Sequence, residues 1–152
     1  MIKKLFLVVL ILVSGVKEVR AEENRYRVTY EYETRLTSYY PKKPVSPTGC
    51  GLGIEDFGVN EFGWYTYKGK LVVATATSYL LNYGWRYADD VRLYNYYDVL
   101  ILNIDGVDYE AIVLDSCGIC MTTGRIDLFV VNRDAVKDTQ ITVKEVINNE
   151  MV

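Results

Sequence analysis

The chain of 152 residues contains no histidine. This absence excludes Ser-His-Asp and Cys-His nucleophile systems, together with every metal site that is built on imidazole. Any proton transfer must therefore fall to carboxylates, tyrosines or lysines. Proline is rare, with three residues, and the chain shows no internal repeat or low-complexity tract. Half of the residues are hydrophobic, which is enough for the core of a single domain.

The first 21 residues have the pattern of a signal peptide. Lys3 and Lys4 precede the uninterrupted apolar run 5–13, and the segment 19–21 is a small-x-small cleavage site, so we expect cleavage after Ala21. The run is shorter than the about 20 residues that cross a bilayer, so we expect no permanent membrane span. Cleavage would remove four of the 17 basic residues and one of the 20 acidic residues, leaving a net charge of −6. An acidic exported domain of this kind is a poor nucleic-acid binder.

Cysteine is also scarce, and its count is odd. An exported chain with Cys50, Cys117 and Cys120 leaves at least one thiol free or paired between chains. Cys117 and Cys120 have the C-x-x-C redox spacing, but thioredoxin-like chemistry places this motif at a helix N-terminus, whereas a β-like run follows it here. All three are disulfide candidates. A bridge from Cys50 to Cys117 or Cys120 would tie two loops together and stabilise the fold.

Two aspartates stand beside strand-like runs. Asp115 follows the apolar run 111–114, and Asp127 precedes the apolar run 128–131. Strands that end in this way would deliver both carboxylates to one edge of a sheet, where a carboxylate can act as a desolvated general acid. In a second interpretation Asp115 caps a turn through backbone amides and Asp127 pairs with Arg125. Both interpretations stay open at this point.

Short strands separated by turn residues predict an all-β fold with minor helix. The alternation of residues 25–40 is typical of a half-buried strand. Asp105 and Gly106 between apolar runs are the preferred type I′ pair, so residues 98–114 are expected to form a hairpin. Residues 41–70 are expected to form a long loop. Further strands are expected at 71–77, 125–131 and 140–147, and short helical turns at 78–82 and 133–138.

The order of these pieces resembles the double-psi β-barrel superfamily. The similarity is most specific to its three-aspartate (3D) branch and the rare lipoprotein A-like proteins, with barwin, expansins and family 45 endoglucanases as more distant relatives. Asp-Ser-Cys-Gly at 115–118 and Arg-Ile-Asp-Leu at 125–128 are similar to the Asp-Thr-Gly-Gly and Arg-Ile-Asp-Leu signature of that branch. The Tyr-Tyr pair at 39–40 and the Gly-Cys-Gly loop at 49–51 are weaker matches.

The resemblance covers residues 35–147 and implies a six-stranded double-psi β-barrel with long loops. Residues 22–34 would then form an N-terminal strand or a leader into the barrel, and residues 148–152 a frayed tail. The chain departs from the branch in one respect. The first of the three aspartates is expected in the strand after the glycine-rich loop, where this chain has Ala-Thr-Ala-Thr at 74–77.

The resemblance implies an exported protein that acts on cell-envelope glycan such as peptidoglycan, by cleavage of the lytic transglycosylase type. Such cleavage needs a single acid, which protonates the leaving oxygen and then removes the proton of a sugar C6 hydroxyl as a 1,6-anhydro ring closes. Asp115 is the expected general acid and base, because burial beside Leu114 and a nearby negative charge would raise its pKa. Asp127 is the expected supporting carboxylate.

The remaining candidates would bind the glycan. Aromatic rings stack on the apolar faces of sugars, although the fourteen tyrosines of this chain are also good strand residues. Ser116 and Thr37 would orient the glycan or hold the acid, and the two tryptophans fall in loops expected at the barrel mouth. The substrate-binding candidates are Thr37, Tyr39, Tyr40, Trp64, Trp85, Ser116 and Arg125.

Two other functions are weighed against cleavage. The missing third aspartate favours a non-catalytic glycan-binding or wall-associated module, in which aromatic residues and the glycine-rich loop give affinity without turnover. The odd cysteine would alternatively allow an exported thiol or adhesive protein to pair between chains. No cofactor or metal site is predicted, and calcium binding by the adjacent carboxylates of Asp89 and Asp90 stays open, because they lack the spacing of an EF-hand.

Overall fold

A computed structural model describes residues 25–40 and 48–149 of the chain. The predicted signal peptide lies outside the described residues, as do residues 22–24, residues 41–47 and residues 150–152 of the predicted tail. The described part is mainly β-structure with two one-turn helices, which confirms the predicted fold class. Its strands are β1 (Tyr26–Tyr39), β2 (Gly58–Val59), β3 (Tyr65–Tyr67), β4 (Lys70–Thr75), β5 (Val99–Ile104), β6 (Val107–Ser116), β7 (Ile126–Phe129) and β8 (Thr139–Asn148).

Six of the strands close into a barrel. The ring order is β4, β6, β5, β8, β1 and β7, and β7 returns to β4 through the pairs Val73–Leu128 and Ala74–Asp127. Within the ring, the β4–β6 pair and the β1–β7 pair are parallel. The other four pairs of adjacent strands are antiparallel. The two extra strands β2 and β3 extend the sheet from β4. Closure gives every ring strand two neighbours and so protects its edges.

The core follows from strand alternation. In β4, Leu71 and Val73 belong to one apolar cluster, whereas Val72 and Ala74 belong to a second. The first cluster takes residues from all six ring strands and therefore fills the barrel. The second takes residues from β4, β6 and β7 together with the β6–β7 connection, so it packs outside the barrel wall. Burial on both faces explains why β4 reads as a continuous apolar run.

The helices are short. They are α1 (Ser78–Leu81) and α2 (Cys120–Thr123), and two 3₁₀ turns lie at Ile54–Asp56 and Arg133–Ala135. α1 confirms the helical turn expected at 78–82. Within the two described ranges, no helix is long and apolar enough to cross a membrane.

Three sequence expectations need adjustment. The long loop expected at 41–70 contains β2 and β3, which are too short for their alternation to stand out in the sequence. The strand or leader expected to end at residue 34 continues into the barrel, because β1 runs unbroken from Tyr26 to Tyr39. The segment after the C-x-x-C motif, where a β-like run is expected, instead contains α2, which ends at Thr123 and is capped by Gly124 with φ 70°.

The predicted β5–β6 hairpin is confirmed. β5 pairs with β6 from Val99–Ile112 to Ile104–Val107, and the two residues between the strands are Asp105 and Gly106. Both have positive φ, 53° and 84°, as a type I′ turn requires. This turn therefore fixes the register of β6, which ends at the candidate site.

We expect Gly106→Ala to destabilise the protein by about 1 kcal/mol, because a Cβ is unfavourable in the left-handed region. Chemical denaturation measures this change as a lower free energy of unfolding. Asp105→Asn is the matched control, since asparagine tolerates the same backbone conformation. A Gly106→Ala protein as stable as the wild type would contradict the type I′ assignment.

A polar cluster fixes β8 to the segment before β5. Arg92 donates to both carboxylate oxygens of Glu145, from Nε to Oε2 at 2.8 Å and from Nη2 to Oε1 at 2.5 Å. The hydroxyl of Tyr94 donates to Oε2 of Glu145 at 2.9 Å, and the hydroxyl of Tyr32 lies 2.8 Å from that of Tyr94. The bonds from Arg92, more than that from Tyr94, lower the pKa of Glu145.

We expect Glu145→Gln to destabilise the protein at neutral pH by about 1 to 3 kcal/mol, the usual contribution of hydrogen bonds to a charged group. Because the pKa of Glu145 is lower in the folded state than in the unfolded state, its stabilisation is present above the unfolded pKa. It is lost as the pH falls through the folded pKa. Denaturation curves between pH 7 and pH 3 should therefore show the two proteins converging in acid.

Glu31→Gln is the control for this experiment, since Glu31 is exposed on β1. The free energy of unfolding of this control at neutral pH should equal that of the wild type. A constant difference between Glu145→Gln and the wild type down to the lowest pH would contradict the proposed charge dependence.

Candidate functional site

Both predicted catalytic aspartates lie at one end of the barrel. The parallel strands β4 and β6 end there, and the antiparallel β7 begins there. Ala74 of β4 pairs with Asp115 of β6 on one side and with Asp127 of β7 on the other. The strand ends therefore deliver the two aspartates to the same level of the sheet, two strand positions apart. Thr37 of β1 pairs with Asp127 at the same level.

A β-bulge precedes Asp115. The β4–β6 pairing shifts between Val73, which is opposite Val113, and Ala74, which is opposite Asp115. Leu114 is therefore the extra residue, and its side chain is fully buried in the outer cluster. Bulges of this kind interrupt the alternation of a strand and redirect the side chains that follow.

The carboxylate of Asp115 is partly buried and bound by backbone amides. The N–H groups of Gly49 and Ser116 donate to its Oδ1 at 2.8 and 2.9 Å. Burial raises the pKa of Asp115, and these two hydrogen bonds oppose the shift. The expected contribution of a nearby negative charge is wrong, because burial is the cause that raises this pKa. The amide-binding interpretation of Asp115 is correct, and it is compatible with a half-buried acid.

Asp127 has different neighbours. The hydroxyl of Thr37 donates to its Oδ1, and Nε of Arg125 lies 3.7 Å from the same oxygen. The predicted pair with Arg125 is therefore present. Among the described residues, the hydrogen-bond partners of Asp127 are separate from those of Asp115. Asp127 is thus held in place by the strand β1 and by the residue that precedes β7.

Ser116 is the centre of a small hydroxyl network beside Asp115. Its Oγ lies 2.6 Å from the hydroxyl of Tyr96 and 2.5 Å from that of Thr77. Thr77 is fully buried. The network brings Tyr96 to the site, although the sequence does not single it out from the other tyrosines of the 94–97 segment.

The glycine-rich loop contacts this network directly. A Cβ at Gly49 would lie 2.1 Å from the hydroxyl oxygen of Tyr96 and 3.2 Å from Oδ1 of Asp115. The first distance is too short for any real contact, so a side chain would displace the tyrosine or the loop. Glycine at this position therefore allows the loop backbone to approach the acid and to donate its N–H.

The disulfide joins Cys117 to Cys120, with their Cα atoms 5.2 Å apart. Cys50 is a free cysteine with its Sγ 3.1 Å from the hydroxyl of Thr48. The expected bridge from Cys50 is therefore wrong, because the other two cysteines pair with each other across one turn. The β-like run expected directly after the C-x-x-C motif is also wrong, since Cys120 begins the one-turn helix α2.

The disulfide lies beside Asp127. The sulfurs of Cys117 and Cys120 and a carboxylate oxygen of Asp127 all lie within 4.8 Å of one another. Donors at such distances would suit a metal ion only if the sulfurs were thiolates, and the disulfide removes this possibility. The close contact instead places the covalent link next to one of the two candidate aspartates.

The two tryptophans have different environments. Trp64 is 7% exposed, and its Nε1 donates to the carbonyl oxygen of Ala135 at 2.8 Å. A buried indole presents no face to a ligand, so Trp64 belongs to the core and not to the candidate site. Trp85 is 48% exposed, and its ring lies against Gly118 in the β6–β7 connection. Only Trp85 of the pair therefore keeps a ring face that a sugar could use.

The tyrosine pair at the end of β1 is divided in the same way. Tyr39 is exposed and its ring centroid lies 5.1 Å from that of Phe129. Tyr40 is partly buried against the barrel core, and the guanidinium of Arg133 lies over its ring at 5.6 Å. Tyr39 is thus the more accessible of the two candidate glycan contacts.

Comparisons of the chain with protein-family models, with curated proteins and with solved structures give no match. The functional argument therefore depends on the residues of this chain and on their geometry. The closed six-stranded barrel of mixed pairing is compatible with the fold that the sequence motifs imply.

We expect the denatured, unreduced protein to contain one reactive thiol per chain, which belongs to Cys50. Titration with a thiol reagent should give no reaction for Cys50→Ser and an unchanged count for Ser38→Ala, a substitution that leaves all three cysteines in place.

Replacing Cys117 and Cys120 together by serine should lower the free energy of unfolding by about 2 kcal/mol, the contribution of a bridge that closes so short a loop. Three free thiols would contradict the pairing of Cys117 with Cys120, and a dimer in non-reducing electrophoresis would contradict the free state of Cys50.

Proposed function

We propose that the protein is exported and acts on peptidoglycan-type glycan, which it cleaves by a lytic transglycosylase-like reaction with Asp115 as general acid and base. The observation that carries the proposal is the half-buried carboxyl of Asp115 at the end of a closed barrel. Burial raises its pKa, so the protonated form extends to higher pH than in a free aspartate. A protonated carboxyl beside a binding surface is what the first step of this reaction needs.

Each step can be assigned to groups in the described part of the chain. Asp115 protonates the glycosidic oxygen as the bond to the leaving sugar breaks. The resulting carboxylate keeps the amide hydrogen bonds from Gly49 and Ser116, which stabilise the charged form. It then accepts the proton of the C6 hydroxyl as that oxygen closes the 1,6-anhydro ring, which returns Asp115 to its starting state.

Two further groups support the reaction. Asp127 carries the second carboxylate and is oriented by Thr37 and Arg125. Its carboxylate would stabilise, by electrostatic attraction, the positive charge that develops on the sugar ring during cleavage. The hydroxyl of Ser116 belongs to the network with Tyr96 and Thr77 and would orient the glycan beside the acid.

Several features support export and membership of the three-aspartate branch. The basic and apolar start of the chain is typical of a secretory signal, and disulfides are typical of exported proteins. The two parallel pairs, β4 with β6 and β1 with β7, favour the double-psi interpretation of the barrel. Asp115 and Asp127 occupy the motif positions on which the resemblance depends.

We expect Asp115→Asn to lower the release of anhydro-muropeptides from purified sacculi by at least about 100-fold, the usual contribution of a general acid. Mass spectrometry of the soluble products measures this release. Asp127→Asn should reduce it less, because Asp127 exchanges no proton with the substrate. Asp89→Asn, an exposed aspartate in another loop, is the control. Unchanged release by Asp115→Asn would show that the assignment is wrong.

A non-catalytic glycan-binding or wall-associated module is the second candidate, and Ala74 is the observation that favours it. Ala74 lies between the two aspartates in register, in the strand where the resemblance places a third aspartate. Sedimentation with sacculi distinguishes the two candidates. An enzyme releases anhydro-sugar products, whereas a module is retained on the sacculi and releases none.

A further inference from the structure

Three tyrosine rings form a continuous series that ends at the candidate acid. The ring centroid of Tyr83 lies 5.1 Å from that of Tyr79, which lies 5.2 Å from that of Tyr96. The hydroxyl of Tyr96 is 2.6 Å from Oγ of Ser116, the residue that follows Asp115. The series therefore connects the protein surface to the site by direct contacts.

The outer two rings are exposed although the local structure orders them. Tyr79 is 39% exposed and Tyr83 is 66% exposed. Tyr79 lies in α1 and Tyr83 follows it by four residues, a spacing that places two side chains on the same side of a helical turn. Their hydroxyls are 3.0 Å apart, so each ring is held by the other. Leu80 between them packs against the outer apolar cluster and anchors the turn.

Exposed, pre-ordered tyrosines are suited to carbohydrate. The ring face packs on the C–H groups of a pyranose, and the hydroxyl exchanges hydrogen bonds with the sugar edge. Each tyrosine has few rotatable bonds, so little conformational entropy is lost on binding. Nucleic acid would also stack on such rings. However, residues 79–83 include no basic residue, and the whole chain has a net charge of −3, so a nucleic-acid ligand is disfavoured.

We propose that Tyr83, Tyr79 and Tyr96 form a sugar-binding surface, here called the tyrosine platform, on which a glycan strand lies with one end beside Asp115. The platform rests on the proposed function in taking glycan as its ligand, and it extends that function by naming residues that bind several consecutive sugars. Tyr96 has two roles, because its ring continues the platform and its hydroxyl contacts Ser116. A strand bound along the rings would present its next glycosidic bond to the acid.

The platform can be tested by binding without turnover. The full chain purified after export, carrying Asp115→Asn, is titrated by calorimetry with peptide-free glycan strands prepared from peptidoglycan. We expect Tyr79→Ala with Tyr83→Ala to raise the Kd about tenfold, the effect of losing two aromatic contacts. Tyr79→Phe with Tyr83→Phe should raise the Kd less, because both rings stay in place.

Tyr30→Ala is the matched control, since Tyr30 is a similarly exposed tyrosine on β1 outside the ring series. Its Kd should equal that of the parent protein, and thermal melting should show that every variant is folded. Equal Kd values for the double alanine variant and the parent would overturn the platform. An equal loss in Tyr30→Ala, tighter binding of single-stranded DNA, or no binding of glycan strands by the parent would overturn it too.

The same proteins separate the platform from the proposed function. If the double alanine variant binds normally and Asp115→Asn has lost cleavage of sacculi, the platform is wrong and the proposed reaction stands. If the double alanine variant loses binding and Asp115→Asn still cleaves, the platform stands and the assignment of the acid is wrong.

Discussion

The closure of the barrel between β4 and β7 is the constraint on which the rest of the structure depends. Two residue pairs make this junction, Val73 with Leu128 and Ala74 with Asp127. Val73 and Leu128 are fully buried in the interior cluster. A slip of one residue would turn these side chains to the other face of the sheet and would turn Asp127 into the barrel. Burial of the core therefore specifies the register that positions the aspartates.

The hydrogen-bond partners and the burial of Asp115 come from elements that are remote in the chain. The strand β6 brings Asp115 to the barrel end, but the amide of Gly49 and the hydroxyl network of Ser116 complete its surroundings. The loop approaches closely only because residue 49 has no side chain. Asp115 is consequently shielded on the loop side, and the ring of Tyr96 connects it to the exposed aromatic surface. The arrangement places a partly buried carboxyl close to an exposed aromatic surface.

Local signals in the sequence predicted the parts of the fold that local forces determine. The Asp105–Gly106 turn and the strands around it could be predicted, because positive φ and alternation are properties of a few neighbouring residues. The ion pair of Arg125 with Asp127 was likewise one of two interpretations of adjacent residues. The pairing of Cys117 with Cys120 was missed, since it depends on the helix α2. This helix has only four residues, which are too few to give a helical pattern in the sequence. Burial of Trp64 and the ring series of Tyr79 and Tyr83 depend on tertiary packing, which composition and spacing do not encode.

The bulge at Leu114 separates the orientation of the acid from the packing of the wall that carries it. Just upstream of the bulge, Ala111 and Val113 belong to the interior cluster and Ile112 belongs to the outer cluster, so any exchange there must preserve volume on the correct side of the wall. Beyond the bulge, the orientation of Asp115 is set by its hydrogen bonds with the backbone amides of Gly49 and Ser116. Substitutions in the barrel wall that preserve its packing can therefore leave the orientation of the Asp115 carboxyl unchanged, and changes in the contacting loop can alter that orientation without disturbing the core.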